Sequence, residues 1–173
     1  MSVTKSILAG LMLAFAFGAP ALAATTLPGG ANSLSETHGD WTVRCEVVES
    51  LVKCAAQQEQ ISNDTRQRLL AIEFAPSEGN LNGTLALPFG LLLSKGAVLQ
   101  VDQQTASPAQ PFQTCLPSGC LVPLLLAADW REALRTGTSL AITAAAVDGK
   151  EAKFAVPLRG FAGALDRITE LTK

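Results

Sequence analysis

Four cysteines and a single histidine are the side chains of this sequence best suited to chemistry, and their spacing decides what kind. Eight residues separate Cys45 from Cys54, and four separate Cys115 from Cys120. Structural zinc prefers closely spaced pairs such as repeated C-x2-C units, and these spacings fit poorly. A redox dithiol places Cys-x-x-Cys at the start of a helix, with a neighbour that lowers the thiol pKa. Cys115-Leu116-Pro117-Ser118-Gly119-Cys120 has four intervening residues and no adjoining base. It reads instead as a tight turn, with Pro117 at position i+1 of a type I turn and Gly119 at i+3. The runs before and after it look extended, so its cysteines face each other at the closed end of a hairpin.

The earlier pair repeats this arrangement. Trp41, Val43, Cys45 and Val47 alternate with Thr42, Arg44 and Glu46, the period of a half-buried strand. Val52-Lys53-Cys54-Ala55-Ala56 returns antiparallel across a turn near Glu49-Ser50. A symmetric hairpin then pairs Val47 with Val52, Cys45 with Cys54 and Val43 with Ala56. Directly opposed residues can have the Cα separation a disulfide needs. The expectation is two structural bonds, Cys45–Cys54 and Cys115–Cys120, each closing a short loop and contributing about 2–3 kcal/mol.

His38 is the only imidazole in the chain. Serine, histidine and aspartate of a hydrolase triad meet only in space, but no G-x-S-x-G, phosphate loop or H-E-x-x-H motif accompanies it. Beside Gly39 and Asp40 it reads as a solvated histidine at a strand edge. Acidic residues are scattered without an evident catalytic pair. Trp41 and Trp130 have the chemistry to line a sugar or peptide groove; the apolar patterns around them read first as core anchors. No catalytic residue, cofactor-binding residue or metal ligand is assigned, and no cofactor is expected.

The N-terminus supplies the compartment. A basic start with Lys5, an apolar run over 7–17 and the small residues of Pro20-Ala21-Leu22-Ala23 form a secretory signal pattern. Cleavage after Ala23 leaves 150 of the 173 residues, with 12 basic and 15 acidic side chains. That is one ordinary domain, large enough for a real core. Without a basic run, nucleic acid is not an expected partner, and no transmembrane segment is expected after cleavage. The protein is expected to be soluble and either periplasmic or secreted to the cell surface.

The remaining chain must position these residues. Residues 24–36 read as a flexible lead, and 37–173 as a single domain. Strands are expected over Arg68–Phe74, Thr84–Leu87 and Ala97–Asp102, with turn material over Pro76–Gly83 and a polar connection over 103–109. Asp129 and Glu132 resemble a capping box for a short helix that Gly137 stops. Asp148-Gly149 marks a two-residue type I′ hairpin between 139–147 and 151–158. A helix from Phe161 presents Phe161, Leu165, Ile168 and Leu171 as one stripe. About eight short strands with close turn signals predict a mainly β chain: an antiparallel β-sandwich with one short helix and a C-terminal helix.

Several motifs now fall in a recognisable order. Gly39-Asp40-Trp41-Thr42-Val43-Arg44-Cys45 with Cys54, Leu87-Pro88-Phe89-Gly90-Leu91-Leu92-Leu93 with Gly96, and Cys115-x4-Cys120 come first. Leu134-Arg135-Thr136-Gly137 and Leu158-Arg159-Gly160-Phe161 with Ala164-Leu165 follow. Together they resemble the invasion-associated locus B family over nearly the whole mature chain. Phe89 and the long run 121–126 depart mildly from its pattern. The resemblance implies a small exported β-sandwich of Gram-negative, mostly alphaproteobacterial, cells. The family takes its name from a member linked to entry into host red cells, while many relatives live in organisms that invade nothing. It offers no established catalytic residues to carry over.

The resulting expectation is a non-enzymatic envelope protein that binds an unidentified protein or envelope component, with host-cell interaction as the role the resemblance implies. The alternative is a periplasmic ligand-binding protein or hydrolase using a groove between the sheets. Thiol–disulfide exchange at Cys115 and Cys120 is a third reading.

Overall fold

In a computed structural model of the chain the described residues are 26–173, so the signal peptide expected over 1–23 lies outside them. The first five strands are β1 (Ser33–His38), β2 (Trp41–Val48), β3 (Leu51–Ile61), β4 (Arg68–Ser77) and β5 (Asn80–Leu87). Then come β6 (Ala97–Val101), β7 (Thr114–Leu116), β8 (Gly119–Leu126) and the helix α1 (Ala128–Thr136). The strands β9 (Ser139–Ala145) and β10 (Glu151–Pro157) precede the closing helix α2 (Phe161–Leu171). The strands form a seven-stranded antiparallel sheet, in the order β1-β2-β3-β4-β5-β8-β7, and a three-stranded sheet, β10-β9-β6. Neither closes into a barrel.

The alternation read from the sequence sets what each sheet buries. Trp41, Val43 and Cys45 of β2 and Leu70, Ile72 and Phe74 of β4 join one core with Leu99 of β6 and Leu140 and Ile142 of β9. The stripe of α2 lies in the same core and packs across β1 to β4. At its centre three rings meet: Trp41 and Phe161 have centroids 4.6 Å apart, and Phe74 stands edge-on to Phe161 at 5.6 Å. Such offset and edge contacts suit the aromatic quadrupole.

Side-chain N–H groups join the two sheets at the free edge of β10. The Trp41 Nε1–H donates to the Pro157 carbonyl at 3.0 Å, and Gln58 Nε2 donates to the same oxygen at 3.1 Å. Gln60 Nε2 donates to the Ala155 carbonyl at 2.7 Å. These bonds satisfy carbonyls that no neighbouring strand reaches.

Both hairpin cysteine pairs are bonded, Cys45 to Cys54 and Cys115 to Cys120. The register pairs Val47 with Val52, Cys45 with Cys54 and Val43 with Ala56. Val47 N donates to Asn32 O, so these positions of β2 direct their backbone groups toward β1. They therefore meet β3 as non-hydrogen-bonded pairs, the closer kind.

Four local expectations are corrected. The lead expected to be flexible over 24–36 contains Leu27, which is buried, and most of β1. Glu36 and His38 occupy inward positions there, where an apolar pattern would have announced a strand. The expected turn over Pro76–Gly83 is mostly strand: β4 runs to Ser77 and β5 begins at Asn80, with only Glu78 and Gly79 between. The hairpin at Asp148-Gly149 has three loop residues, because Ala146 N donates to Lys150 O. Gly149, at φ +84°, takes the left-handed position of a bulged three-residue turn. Asp129 lies inside the first turn of α1, whose N-cap is Ala127 without a side-chain cap, so the capping box does not form.

Candidate functional site

Thr42 and Arg44 alternate with core residues of β2 and therefore face outward. The register extends their row across the sheet: Thr42 opposes Gln57, Gln57 opposes Glu73, and Glu73 opposes Thr84. Four strands thus present a polar face, hollowed into an open groove of about 510 Å³. Gln57 Nε2 donates to Glu73 Oε2 at 3.3 Å along the floor. At one end Arg68 pairs with Glu59 and also donates to the Ser118 carbonyl at 3.1 Å, which fixes it to the Cys115–Cys120 turn. At the other end Asp40 pairs with Arg159. Arg44 takes part in neither ion pair. Glu46, on the same strand face, lies outside the groove opposite Lys53.

The groove is therefore a partly neutralised surface with a guanidinium, two threonine hydroxyls and a carboxylate available to a bound group. Its charges are exposed, where single ion pairs add little stability. They are better placed to orient a partner than to hold the fold.

His38 lies on the opposite, inward side of the large sheet. Its Nε2 is shielded and has no hydrogen-bond partner, with Glu36 Oε2 at 3.6 Å. That carboxylate is already engaged by Arg167, through two bonds of 2.8 Å. The Arg167 guanidinium holds the Glu36 carboxyl below its ordinary range, and His38 adds to this more weakly. No hydroxyl hydrogen-bonds His38 among the described residues, so the triad geometry of a hydrolase is not assembled there. Trp41, Phe74 and Phe161 fill the space beneath the sheet where the alternative reading placed a groove.

Asp40 has a second role that spacing alone did not reveal. Its N–H donates to the Arg159 carbonyl at 2.9 Å, and its carboxylate receives Arg159 Nε at 3.1 Å. The guanidinium keeps the Asp40 carboxyl below its ordinary range. Beside this pair Gly39 and Gly160 pack face to face: a Cβ on Gly160 would fall 2.0 Å from the His38 carbonyl oxygen. The segments Gly39-Asp40-Trp41 and Arg159-Gly160-Phe161 are one structural knot.

Residues 41–169, which carry the groove and most of this knot, match the family described as Invasion associated locus B (IalB) protein. This chain belongs to that family. Among IalB relatives, an Invasion protein B homolog of Brucella abortus is 45% identical over 152 residues, covering 87% of each chain. Invasion protein B of Bartonella bacilliformis is 34% identical over 151 residues, covering 86% of this chain and 81% of its own. The crystal structure of invasion associated protein B from Bartonella henselae superposes with a TM-score of 0.75 at 30% identity. That match covers 80% of this chain and 97% of the other. The resemblance read from the ordered motifs and the mainly antiparallel β fold with two helices are both shown. In this IalB-family chain the Gly39-Asp40-Trp41 and Arg159-Gly160-Phe161 motifs are explained by packing.

Among the described residues no helix is long and apolar enough to cross a membrane, and no cluster of His, Cys, Asp or Glu is arranged to hold a metal.

Proposed function

We propose that this IalB-family protein is an exported, non-enzymatic envelope protein that binds a macromolecular partner through the outer face of its large sheet. The open groove around Arg44 carries this reading. It offers a fixed row of polar groups, Thr42, Gln57, Glu73 and Thr84, with an exposed guanidinium beside them. An acidic group on the partner meets Arg44 and a donor meets Glu73. Two disulfides support passage to an oxidising compartment. The names of the Brucella and Bartonella relatives support a contribution to host-cell interaction.

The test is affinity capture from an envelope extract with wild type, Arg44→Glu and a distant control, Lys150→Glu. Wild type and the control should enrich the same partner, and Arg44→Glu should lose it. Equal enrichment by all three proteins, or by none, overturns the reading.

A further inference from the structure

The two tryptophans have different fates. Trp41 is fully enclosed and its N–H is bonded to Pro157. Trp130, on α1, packs against the core with part of its ring but stays partly exposed. Its N–H has no acceptor among the described residues. The exposed part of the indole lines a second cavity, of about 520 Å³, between α1 and the segment 104–108. This cavity lies on the helical side of the large sheet, away from the polar groove.

Its far wall is held in place. Leu99 N donates to Ser107 Oγ at 3.0 Å, and Ser107 N donates to the Leu99 carbonyl at 2.8 Å. Ala97 and Gln110 exchange both backbone bonds, and Gln100 Nε2 donates to the Gln104 carbonyl at 2.8 Å. The segment expected as a polar connection is thus fastened along the free edge of β6. A preformed wall spares a ligand the cost of ordering it.

The lining combines an indole surface with the Asp129 carboxylate, the Gln104 amide and the Thr105 hydroxyl, none hydrogen-bonded through its side chain among the described residues. Asp129 is the only charged group in that lining, which disfavours phosphates, carboxylates and acidic sugars. A quaternary ammonium favours a cage of several aromatic rings, and here there is one. A flat apolar C–H face edged by hydroxyls that donate to a carboxylate and an amide fits all these groups. We propose that this cavity binds a neutral pyranose sugar stacked on Trp130, with Asp129 accepting from its hydroxyls.

Tryptophan fluorescence tests it, with chitobiose and maltotriose as neutral probes and N-acetylneuraminic acid and choline as contrasts. A neutral sugar should change the emission saturably, while N-acetylneuraminic acid and choline should not. Trp130→Phe should abolish the change, with Trp41 emission and near-ultraviolet circular dichroism reporting an intact core. Asp129→Asn should weaken binding about tenfold, the loss of one charge-assisted hydrogen bond, and decides the matter by calorimetry if Trp130→Phe does not fold. No saturable response to either neutral sugar, a response retained in Trp130→Phe, unchanged affinity in Asp129→Asn, or a response to choline or N-acetylneuraminic acid alone overturns the proposal.

Discussion

Asp40 and Arg159 stand 119 positions apart and are joined through both backbone and side chain. The Asp40 N–H reaches the Arg159 carbonyl, while the Arg159 guanidinium spans the two oxygens of the Asp40 carboxylate. This double link ties the turn between β1 and β2 to the entrance of α2. It places Trp41 against Phe161 and brings Gly39 against Gly160 with no room for a side chain on either.

Two glycines with similar backbones separate strain from contact. Gly149 and Gly160 have φ of +84° and +91°, but a Cβ on Gly149 meets nothing within 4 Å, whereas one on Gly160 meets the His38 carbonyl. Gly149→Ala should cost about 1–2 kcal/mol, the penalty of a left-handed backbone. Gly160→Ala adds a clash with main chain that cannot rotate away, and should cost about 4 kcal/mol or more. Thermal unfolding of the two variants checks this; equal losses would show that the knot yields.

The strand faces of β2, β3, β4 and β9 were legible because burial on one side imposes a period of two. The hairpin register followed from the same alternation and brought the cysteines together. β1 was not legible, because its inward positions include Glu36, which pairs with Arg167 of α2, and His38, which lies beside Glu36, in place of apolar core. One strand of the groove could be read, from Thr42 and Arg44. Gln57, Glu73 and Thr84 needed the register of three more strands. The Trp130 cavity was hidden because its second wall is a segment whose bonds to β6 leave no periodic trace.

Acid should loosen the contacts to α2. Arg167 beside Glu36, Arg159 beside Asp40 and Arg135 beside Asp166 each hold a carboxyl below its ordinary range. Asp102 is lowered by the Thr138 hydroxyl and by the N–H groups of Thr138 and Ser139. In all four the unfolded chain takes up its protons at higher pH than the folded one. Their stabilisation is therefore present above the ordinary value, 4.5 for Glu36, and is lost as pH falls through the lowered folded value. The melting temperature should fall on acidification from pH 5 to pH 3. Arg167→Met, which removes the main cause of the Glu36 shift, should fall less over that interval; a parallel decline would remove Glu36 from the account.

The two disulfides should differ in accessibility. Cys45 and Cys54 are both buried in the core, whereas Cys115, bonded to the buried Cys120, is exposed on a three-residue strand at the edge of the sheet. A thiolate must reach a sulfur to attack it. Mild reductant followed by alkylation and mass spectrometry should label Cys115 and Cys120 before Cys45 and Cys54. If both pairs resist mild reductant, thiol–disulfide exchange loses its support; simultaneous labelling would mean that global unfolding precedes both reductions.

Gln58 offers the sharpest test of how the two sheets are joined. It is the one buried polar side chain among the described residues, 8% exposed. Its Nε2 donates to the carbonyls of Asp40 at 3.2 Å and Pro157 at 3.1 Å, and its Oε1 accepts from Gln60 at 3.2 Å. Gln58→Leu keeps much of the volume and leaves Pro157 bonded to Trp41, but strips the side-chain donor from Asp40, at a cost of about 1–3 kcal/mol. Gln58→Glu is nearly isosteric yet turns a carboxylate oxygen toward two carbonyl oxygens at neutral pH. It should therefore be the less stable variant at pH 7, and should approach Gln58→Leu at pH 4 as the carboxyl takes up a proton and regains a donor. Denaturant unfolding of both variants at the two pH values measures this. Equal stability at pH 7 would mean that water enters between the sheets at this corner and that the amide links do not hold them together.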